Sequence, residues 1–237
     1  MTEQTFAAPL EPLRKRKQEA TARLLGDTIG ISDDDWNRPS LLPGWSRAHV
    51  AAHLSANAEA LARLVENVSQ PAGELYPDED TRLADIEYGS SLTGLELQIS
   101  LDTTAGRLAR ALDAVEDWTA PVELLGRSVT LAQVPMVRLS EVVLHHLDLD
   151  CDFSVDWLEP APARWLLQWT LEWHGADWDL PPLLVQSTSG ISGELGGAGQ
   201  ERRTVSGADA ELWAWLMGRT SGDHLEGADG LTPALRS

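Results

Sequence analysis

The segment from about Pro135 to Asp152 restricts the fold of this chain more than any other. Its sequence MVRLSEVVLHHLDLD is apolar almost all round, which is typical of a helix buried on every side. Four polar residues recur in it at helical spacing and share an arc of about 80° at ~100° per residue: Arg138, Glu141, His145 and Asp148. Burying such groups unpaired costs on the order of several kcal/mol each, so they need one another, water or a metal ion. His146 is expected to point elsewhere, among the apolar residues.

Glu141 and His145 stand at positions i and i+4, so one helix face can present both to a single metal ion. A salt-bridged core network is the more ordinary explanation of this helix taken alone. A second helix adds a third candidate ligand: in HVAAH, His53 lies nearer the apolar face, whereas His49 lies toward solvent. Two imidazoles and one carboxylate leave the fourth position of a tetrahedral zinc ion open, as catalytic zinc sites require.

The HxxxH pair of His49 and His53 is an alternative ligand set, which Glu141 or Asp148 would complete. For His49 the simpler interpretation is a solvated or helix-capping side chain. The two sets share His53, and they differ in whether His49 or His145 supplies the second imidazole.

The N-terminal part of the chain carries strong helical periodicity in four segments. They lie at about 10–29, from a cap at Ser46 to Val68, at about 92–115 and at about 135–152, with a broken helical stretch near 79–88. A loop with Pro71, Gly73 and Pro77 precedes that stretch. Helices with these connections predict an antiparallel four-helix bundle for residues 1–155.

The pattern of predicted elements changes after Pro160 and Pro162. A Trp-rich helix, ARWLLQWTLEWHG, precedes two strand-like runs, LLVQST and RRTVSG, which a Gly-rich turn separates (SGELGGAGQ). The segment ADAELWAWLMGR predicts a final helix. Residues 156–237 are therefore predicted to form a small α+β domain, and the whole chain an α+β protein with an N-terminal helical bundle.

The charge balance and the cysteine content exclude several classes of function. With 18 basic and 37 acidic side chains the net charge is −19, so the surface repels phosphate backbones and anionic lipid. We expect no nucleic-acid partner and no membrane association, since the chain shows no apolar run of membrane-spanning length and no signal-peptide pattern. A cytoplasmic monomer or homodimer is expected. The one cysteine, Cys151, permits neither an internal disulfide nor a Cys-rich zinc cluster, and is expected to pack as a small hydrophobe.

Three segments, LLPGWSRAHVAAHLSANAEAL, IEYGSSL and RLSEVVLHHLDL, together resemble the mycothiol-dependent maleylpyruvate isomerases, which belong to the superfamily of DinB-like helical bundles that use thiol cofactors. The closing VSGADAELWAWLMGR resembles the C-terminal domain of the same family, so the likeness covers nearly the whole chain. The resemblance implies a DinB-like bundle with a metal ion held by His53, Glu141 and His145. It carries the arginine of the family's closing G-R motif to Arg219, and an arginine before the I-x-Y-G-S segment to Arg82.

The function implied by the resemblance is zinc- and mycothiol-dependent isomerisation of maleylpyruvate to fumarylpyruvate, a step of aromatic degradation. A zinc-bound thiol loses its proton near neutral pH, and the thiolate would add to the C=C bond, allow rotation and then leave. The partners are thus a small-molecule thiol and an anionic small-molecule substrate. Arg82 and Arg219 would hold the two substrate carboxylates, with a catalytic role for Arg219 as well. The alternative for Arg219 is a charge that stabilises the helix C-terminus.

Two other functions share the zinc site. A mycothiol S-transferase or thiol-exchange enzyme would act on another electrophile, and a non-catalytic zinc-binding regulator would need a fourth protein ligand to close the site. Four tryptophans recur at mostly helical spacing and are expected in the core, with a pocket wall for a sugar-bearing cofactor as the alternative: Trp157, Trp165, Trp169 and Trp173.

Overall fold

The computed structural model describes residues 8–68, 75, 78–124, 126–174, 180–196 and 202–235. The chain divides into two compact units, Arg14–Phe153 and a second one formed by Met1–Leu13 with Ser154–Ser237. The predicted domain boundary at residue 155 stays a prediction. Among the described residues, no helix is both long enough and apolar enough to cross a bilayer.

The unit Arg14–Phe153 is built mainly from helices. Their bounds are Leu10–Thr28 (α1), Asp33–Trp36 (α2), Arg47–Glu66 (α3), Glu79–Ser90 (α4), Gly94–Asp113 (α5) and Val134–Asp148 (α6). The four strongly periodic segments are confirmed as α1, α3, α5 and α6. The stretch predicted as broken is the continuous helix α4, because Asp78 caps it by accepting from the Thr81 backbone N–H. The predicted loop with Pro71, Gly73 and Pro77 lies outside the described residues.

Two short elements of this unit were not predicted. The single helical turn α2 is capped by Ser32, whose side chain accepts from the backbone N–H of Asp35. An antiparallel hairpin joins β1 (Pro121–Leu124) to β2 (Arg127–Thr130), with Gly126 in the left-handed region at φ +74°. Helix α2 and each strand of the hairpin are four residues long, which is too short for periodicity to reveal them.

Helix α3 lies at the centre of the bundle and packs against α4, α5 and α6. Its predicted cap is confirmed: the Ser46 side chain accepts from the His49 backbone N–H, and His49 Nδ1 accepts in return from the Ser46 N–H at 3.2 Å. Helix α1 is tied to α5 by an ion pair between Arg14 and Asp113. The core between these helices has the buried members Leu24, Trp36, Ala48, Val50, Ala51, Leu54, Leu97, Leu101, Val142 and Leu149.

Helix α6 is buried on every side, as its composition predicts, with only Ser140 and Glu141 reaching solvent. Arg138 turns to α3, where its Nη1 donates to the Leu54 carbonyl at 2.9 Å and to Asn57 Oδ1 at 2.8 Å. The expectation for His146 is only half right: its ring stacks on Phe153 at 4.1 Å, but its Nε2 lies 3.2 Å from the Asp27 carboxylate. The helix can bury these polar groups because its neighbours supply partners.

The C-terminal unit combines helix α7 (Pro160–His174), a three-stranded sheet and helix α8 (Asp209–Leu216). The sheet has the order β4-β3-β5, with β3 (Leu183–Ser187) antiparallel to β4 (Ser192–Leu195) and parallel to β5 (Arg203–Gly207). The predicted strand-like runs are confirmed as β3 and β5. The Gly-rich turn prediction is wrong for residues 192–195, which form β4, where a Cβ on Gly193 would come within 2.9 Å of the Leu171 side chain on α7.

The tryptophans of this unit have different surroundings. Trp165 and Trp169 are buried as predicted, and Trp169 stacks on Trp173 with ring centroids 4.6 Å apart. The core prediction is wrong for Trp157, which is 48% exposed because it lies in a 3₁₀ turn, Val155–Trp157, outside the α7 pattern. Together the two units confirm the predicted α+β class.

Candidate metal centre

Helices α3 and α6 bring His53, Glu141 and His145 together. Nε2 of His53 lies 3.0 Å from Oε2 of Glu141, and Nε2 of His145 lies 3.6 Å from the same oxygen. Among the described residues, these three form a group whose ligand atoms all lie within 4.8 Å of one another and could hold a metal ion. The i, i+4 spacing on α6 and the inward face of α3 are sufficient to produce this convergence.

The group is enclosed but not sealed. The His145 side chain is 0% exposed and that of His53 is 9% exposed, whereas that of Glu141 is 19% exposed. The two imidazoles meet edge to face with centroids 4.5 Å apart, and the ring of Trp45 lies 5.7 Å from that of His53. Glu141 is therefore the most solvent-exposed member of the group.

A buried carboxylate holds the far side of His145. Nδ1 of His145 lies 2.8 Å from Oδ2 of Asp148, and both side chains are fully buried. Nδ1 of His145 thus faces the Asp148 carboxylate, and Nε2 faces the carboxylate of Glu141. Nε2 of His145 is itself buried with no hydrogen-bond partner.

The charges around the group favour a positive charge inside it. Burial disfavours ionised Glu141, yet its interactions with His145 and His53 prevail and hold its pKa well below the usual range. Burial would lower the pKa of His145, but Asp148 and Glu141 raise it above the ordinary value. Burial lowers the pKa of His53, with Glu141 acting in the opposite direction. At neutral pH the group thus offers a carboxylate and at least one neutral imidazole.

The donor set fits a divalent metal ion. An Nε2 lone pair of His145 that faces a carboxylate oxygen is stabilised when a cation lies between them, and a proton or a metal ion can fill that role. Two imidazole nitrogens and one carboxylate oxygen are ligands that zinc accepts in catalytic sites. The metal-bound arrangement would leave Asp148 as the outer partner of a ligating histidine, a common feature of such sites.

The alternative set built on the HxxxH pair is not brought together. Nδ1 of His49 accepts from Ser46 and its Nε2 lies 3.1 Å from Glu87, so both ring nitrogens of His49 are engaged outside the group. Asp148 contacts Nδ1 of His145. The structure thus places His49 at the helix cap, which is the simpler of the two interpretations of that residue.

Comparisons with known proteins identify the family of this chain. The family model of the mycothiol maleylpyruvate isomerase N-terminal domain matches residues 18–150, more than half of the chain. This chain belongs to the mycothiol maleylpyruvate isomerase family. The match spans α3 and α6 and all three residues of the candidate metal centre.

Solved structures extend the likeness in fold to both units. Crystal structures of the mycothiol-dependent maleylpyruvate isomerase and of a histidine-to-alanine mutant of it match with TM-scores of 0.83 and 0.82. Each is 24% identical, and each match covers 97% of this chain and 98% of the other. None of the curated proteins compared with the chain matches it.

Arg82 of this family member lies near the metal centre. It is placed on α4, and its positive charge contributes to the lowered pKa of His53. Its guanidinium makes a two-pronged ion pair with Glu79, with Nε to Oε2 at 2.8 Å and Nη2 to Oε1 at 2.6 Å. A substrate carboxylate at Arg82 would have to share or displace Glu79.

Arg219 lies just beyond α8 in the C-terminal unit. Its backbone N–H donates to the Ala214 carbonyl and that of Gly218 donates to Trp215, with Gly218 at φ +76°, so the two residues form a Schellman motif. Its Nη1 donates to the Met217 carbonyl at the end of the helix. These contacts agree with a helix-terminating role, and the substrate-binding and catalytic roles of Arg219 stay predictions.

The contacts of two residues beside the group were not predicted from the sequence. Trp45 packs against both His49 and His53, although its G-W-S context could have indicated a position beside the metal centre. Asp148 was identified as part of the polar stripe but not as the partner of His145 Nδ1, since an i, i+3 spacing does not reveal which ring nitrogen it meets.

Proposed function

We propose that this chain is a zinc-dependent isomerase that uses mycothiol to convert maleylpyruvate to fumarylpyruvate. The observation that carries the proposal is the convergence of His53, Glu141 and His145 on one point in a member of this family. The three residues would hold zinc and leave one coordination position for the thiol. A zinc ion held there would lower the pKa of a bound thiol, so that mycothiol could supply a nucleophilic thiolate near neutral pH.

The protein residues around the site have separable tasks. Glu141 stays ionised at neutral pH because its pKa is depressed, so it supplies a negative ligand without first losing a proton. Asp148 fixes the ring of His145, and Trp45 packs against His53. Arg82 supplies a planar cation near the site, suited to a carboxylate of a dianionic substrate. These features favour a site that binds an anionic small molecule beside a metal-bound thiol.

The single cysteine of the chain supports an external thiol. Burial, with a smaller contribution from Asp27, raises the pKa of Cys151 to about 11. Such a thiol is almost entirely protonated at neutral pH and is a poor nucleophile. The nucleophilic sulfur is therefore expected to come from a cofactor.

The partial exposure of Glu141 favours catalysis over the regulator hypothesis. A structural zinc site is closed by four protein ligands, whereas the group found among the described residues has three members, one of them reaching solvent. The S-transferase hypothesis predicts the same metal centre, so it must be separated by the products formed.

The proposal is tested by assaying the zinc-loaded protein with maleylpyruvate, with and without mycothiol. We expect catalytic formation of fumarylpyruvate only when both are present, with Glu141→Ala as the inactive control. Stoichiometric consumption of mycothiol into a stable adduct would favour the S-transferase. No turnover with zinc and mycothiol both present would overturn the proposed isomerase.

A further inference from the structure

Asp148 makes two different contacts at the end of α6. Its side-chain Oδ2 accepts from Nδ1 of His145 at 2.8 Å, and its backbone carbonyl accepts from the N–H of Leu41 at 2.9 Å. Leu41 belongs to the loop that leads through Trp45 into α3, and Trp45 packs on His53. One fully buried residue thus contacts a ligand candidate on α6 and the loop that leads to the ligand candidate on α3.

The side-chain contact determines which nitrogen of His145 is available. A neutral imidazole carries one N–H and one lone pair, and an ionised carboxylate accepts but cannot donate. With the proton held on Nδ1 by Asp148, the lone pair is on Nε2, the nitrogen that faces Glu141 at 3.6 Å. The opposite tautomer would direct an N–H at the metal position and a lone pair at the Asp148 carboxylate, so Nε2 could not bind a metal ion and the hydrogen bond to Asp148 would be lost.

The two imidazoles of the centre differ in this respect. The ring of His53 contacts the Glu141 carboxylate through Nε2, whereas its buried Nδ1 has no hydrogen-bond partner among the described residues. His146, the next residue on α6, has a carboxylate of its own, Asp27, but lies outside the metal-binding group. Within the group, His145 is thus the imidazole with a carboxylate at Nδ1, and the contact of His146 with Asp27 outside the group provides a natural comparison.

We propose that Asp148 is a positioning residue of the metal centre: it holds His145 as the Nδ1–H tautomer and so presents Nε2 to the metal ion. The inference rests on the proposed function only in taking His53, Glu141 and His145 as the zinc ligands. Outer carboxylates of this kind contribute on the order of 10–100-fold to metal affinity. Asp148 acts through His145 and does not itself touch the thiol or the substrate.

The tautomer can be read in the parent protein without any variant. Long-range ¹H–¹⁵N correlation spectra of the uniformly labelled full chain, metal-free and at alkaline pH where the imidazoles are neutral, distinguish a protonated from an unprotonated ring nitrogen. We expect His145 to carry its proton on Nδ1. A proton on Nε2 of His145 in this spectrum would overturn the proposal, whatever the behaviour of any variant.

The metal affinity is measured by zinc competition with a chromogenic chelator. Asp148→Asn keeps the size of the side chain but removes its charge, and we expect it to weaken zinc binding by about 10–100-fold. Asp27→Asn is the matched control, since it removes the carboxylate beside His146 and should leave zinc affinity and the His145 tautomer unchanged. Zinc binding by Asp148→Asn as tight as that of the parent would contradict the proposal.

These measurements need no substrate, so they separate this inference from the proposed function. Tight zinc binding that depends on Asp148, in a protein that does not turn over maleylpyruvate, would overturn the isomerase and leave the positioning role intact. An active isomerase whose zinc affinity is unchanged by Asp148→Asn would overturn the positioning role and leave the proposed isomerase intact.

Discussion

Nε2 of His53 and Oε2 of Glu141 lie 3.0 Å apart, although 88 residues separate them in the sequence. The contact joins the central helix α3 to the buried helix α6, and His145 completes the group one turn further along α6. Because two packed helices carry all three side chains, the geometry of the centre depends on the helix packing rather than on loops. The site should therefore be well ordered before any ligand binds.

The ion pair between Glu79 and Arg82 should compete with the substrate. If Arg82 binds a substrate carboxylate, Glu79→Gln weakens the competing partner and should lower the KM for maleylpyruvate. Arg82→Lys keeps the charge but loses the planar fork, and should raise KM on the order of tenfold. Steady-state kinetics of both variants check this. Unchanged KM values in both would remove Arg82 from the substrate site.

Replacement of Arg219 separates its two assigned roles. Arg219→Lys retains a positive charge near the end of α8, so the zinc content and the melting temperature should match those of the parent. If Arg219 holds a substrate carboxylate, the same variant should lose most of its turnover, since lysine cannot form the paired hydrogen bonds. Wild-type kcat/KM in Arg219→Lys would leave the residue with its helix-terminating role alone.

Cys151 should be unreactive in the folded protein. Its pKa is raised to about 11, mainly by burial, so only on the order of one thiol in a thousand is ionised near pH 8. Iodoacetamide should therefore alkylate the native protein slowly and the guanidinium-unfolded protein quickly, as mass spectrometry would reveal. Cys151→Ser should keep its mycothiol-dependent activity. Loss of that activity in Cys151→Ser would show that the protein supplies the nucleophile.

Lys17 should weaken the bundle at neutral pH. Burial, followed by the charge of Arg138, lowers its pKa to about 8, against 10.5 for a free side chain. Between these pH values the unfolded chain binds more protons, so the contribution of Lys17 to stability improves as the pH rises through this window. Lys17→Met should raise the free energy of unfolding at pH 7 by on the order of 2–3 kcal/mol, and by less at pH 10.

Denaturant titrations of the parent and Lys17→Met at both pH values provide the measurement. Lys15→Met is the matched control on the same helix, since the Lys15 side chain is 73% exposed and its substitution should change the stability little. Equal effects of the two substitutions would mean that Lys17 is not buried as a charge.

Much of the candidate site follows from the sequence. The i, i+4 spacing of Glu141 and His145 on an apolar helix predicts a shared buried face, and the position of His53 on its helix predicts that it faces inward. The same argument could not separate Arg138 from the stripe, because its partner, the Leu54 carbonyl, belongs to another helix. Helical periodicity also does not show which ring nitrogen of His145 faces Asp148.

The elements missed were those with few residues. The two strands of the hairpin around Gly126 and the strand that contains Gly193 are each four residues long. Such short segments show too little apolar–polar alternation to be recognised as strands. Strand β4 is recognised only from its packing, since Gly193 leaves room for Leu171 of α7. By contrast, α3, α5 and α6 are long and strongly patterned, and all three were predicted.

The most direct test of the metal centre is the zinc content of the purified protein and of two single variants. The parent should carry about one zinc per chain, as a site with three protein ligands and one open position requires. His53→Ala should lose the metal while remaining helical by circular dichroism, and His49→Ala should keep it, because both ring nitrogens of His49 are engaged outside the group. Metal retained in His53→Ala and lost in His49→Ala would contradict the assignment.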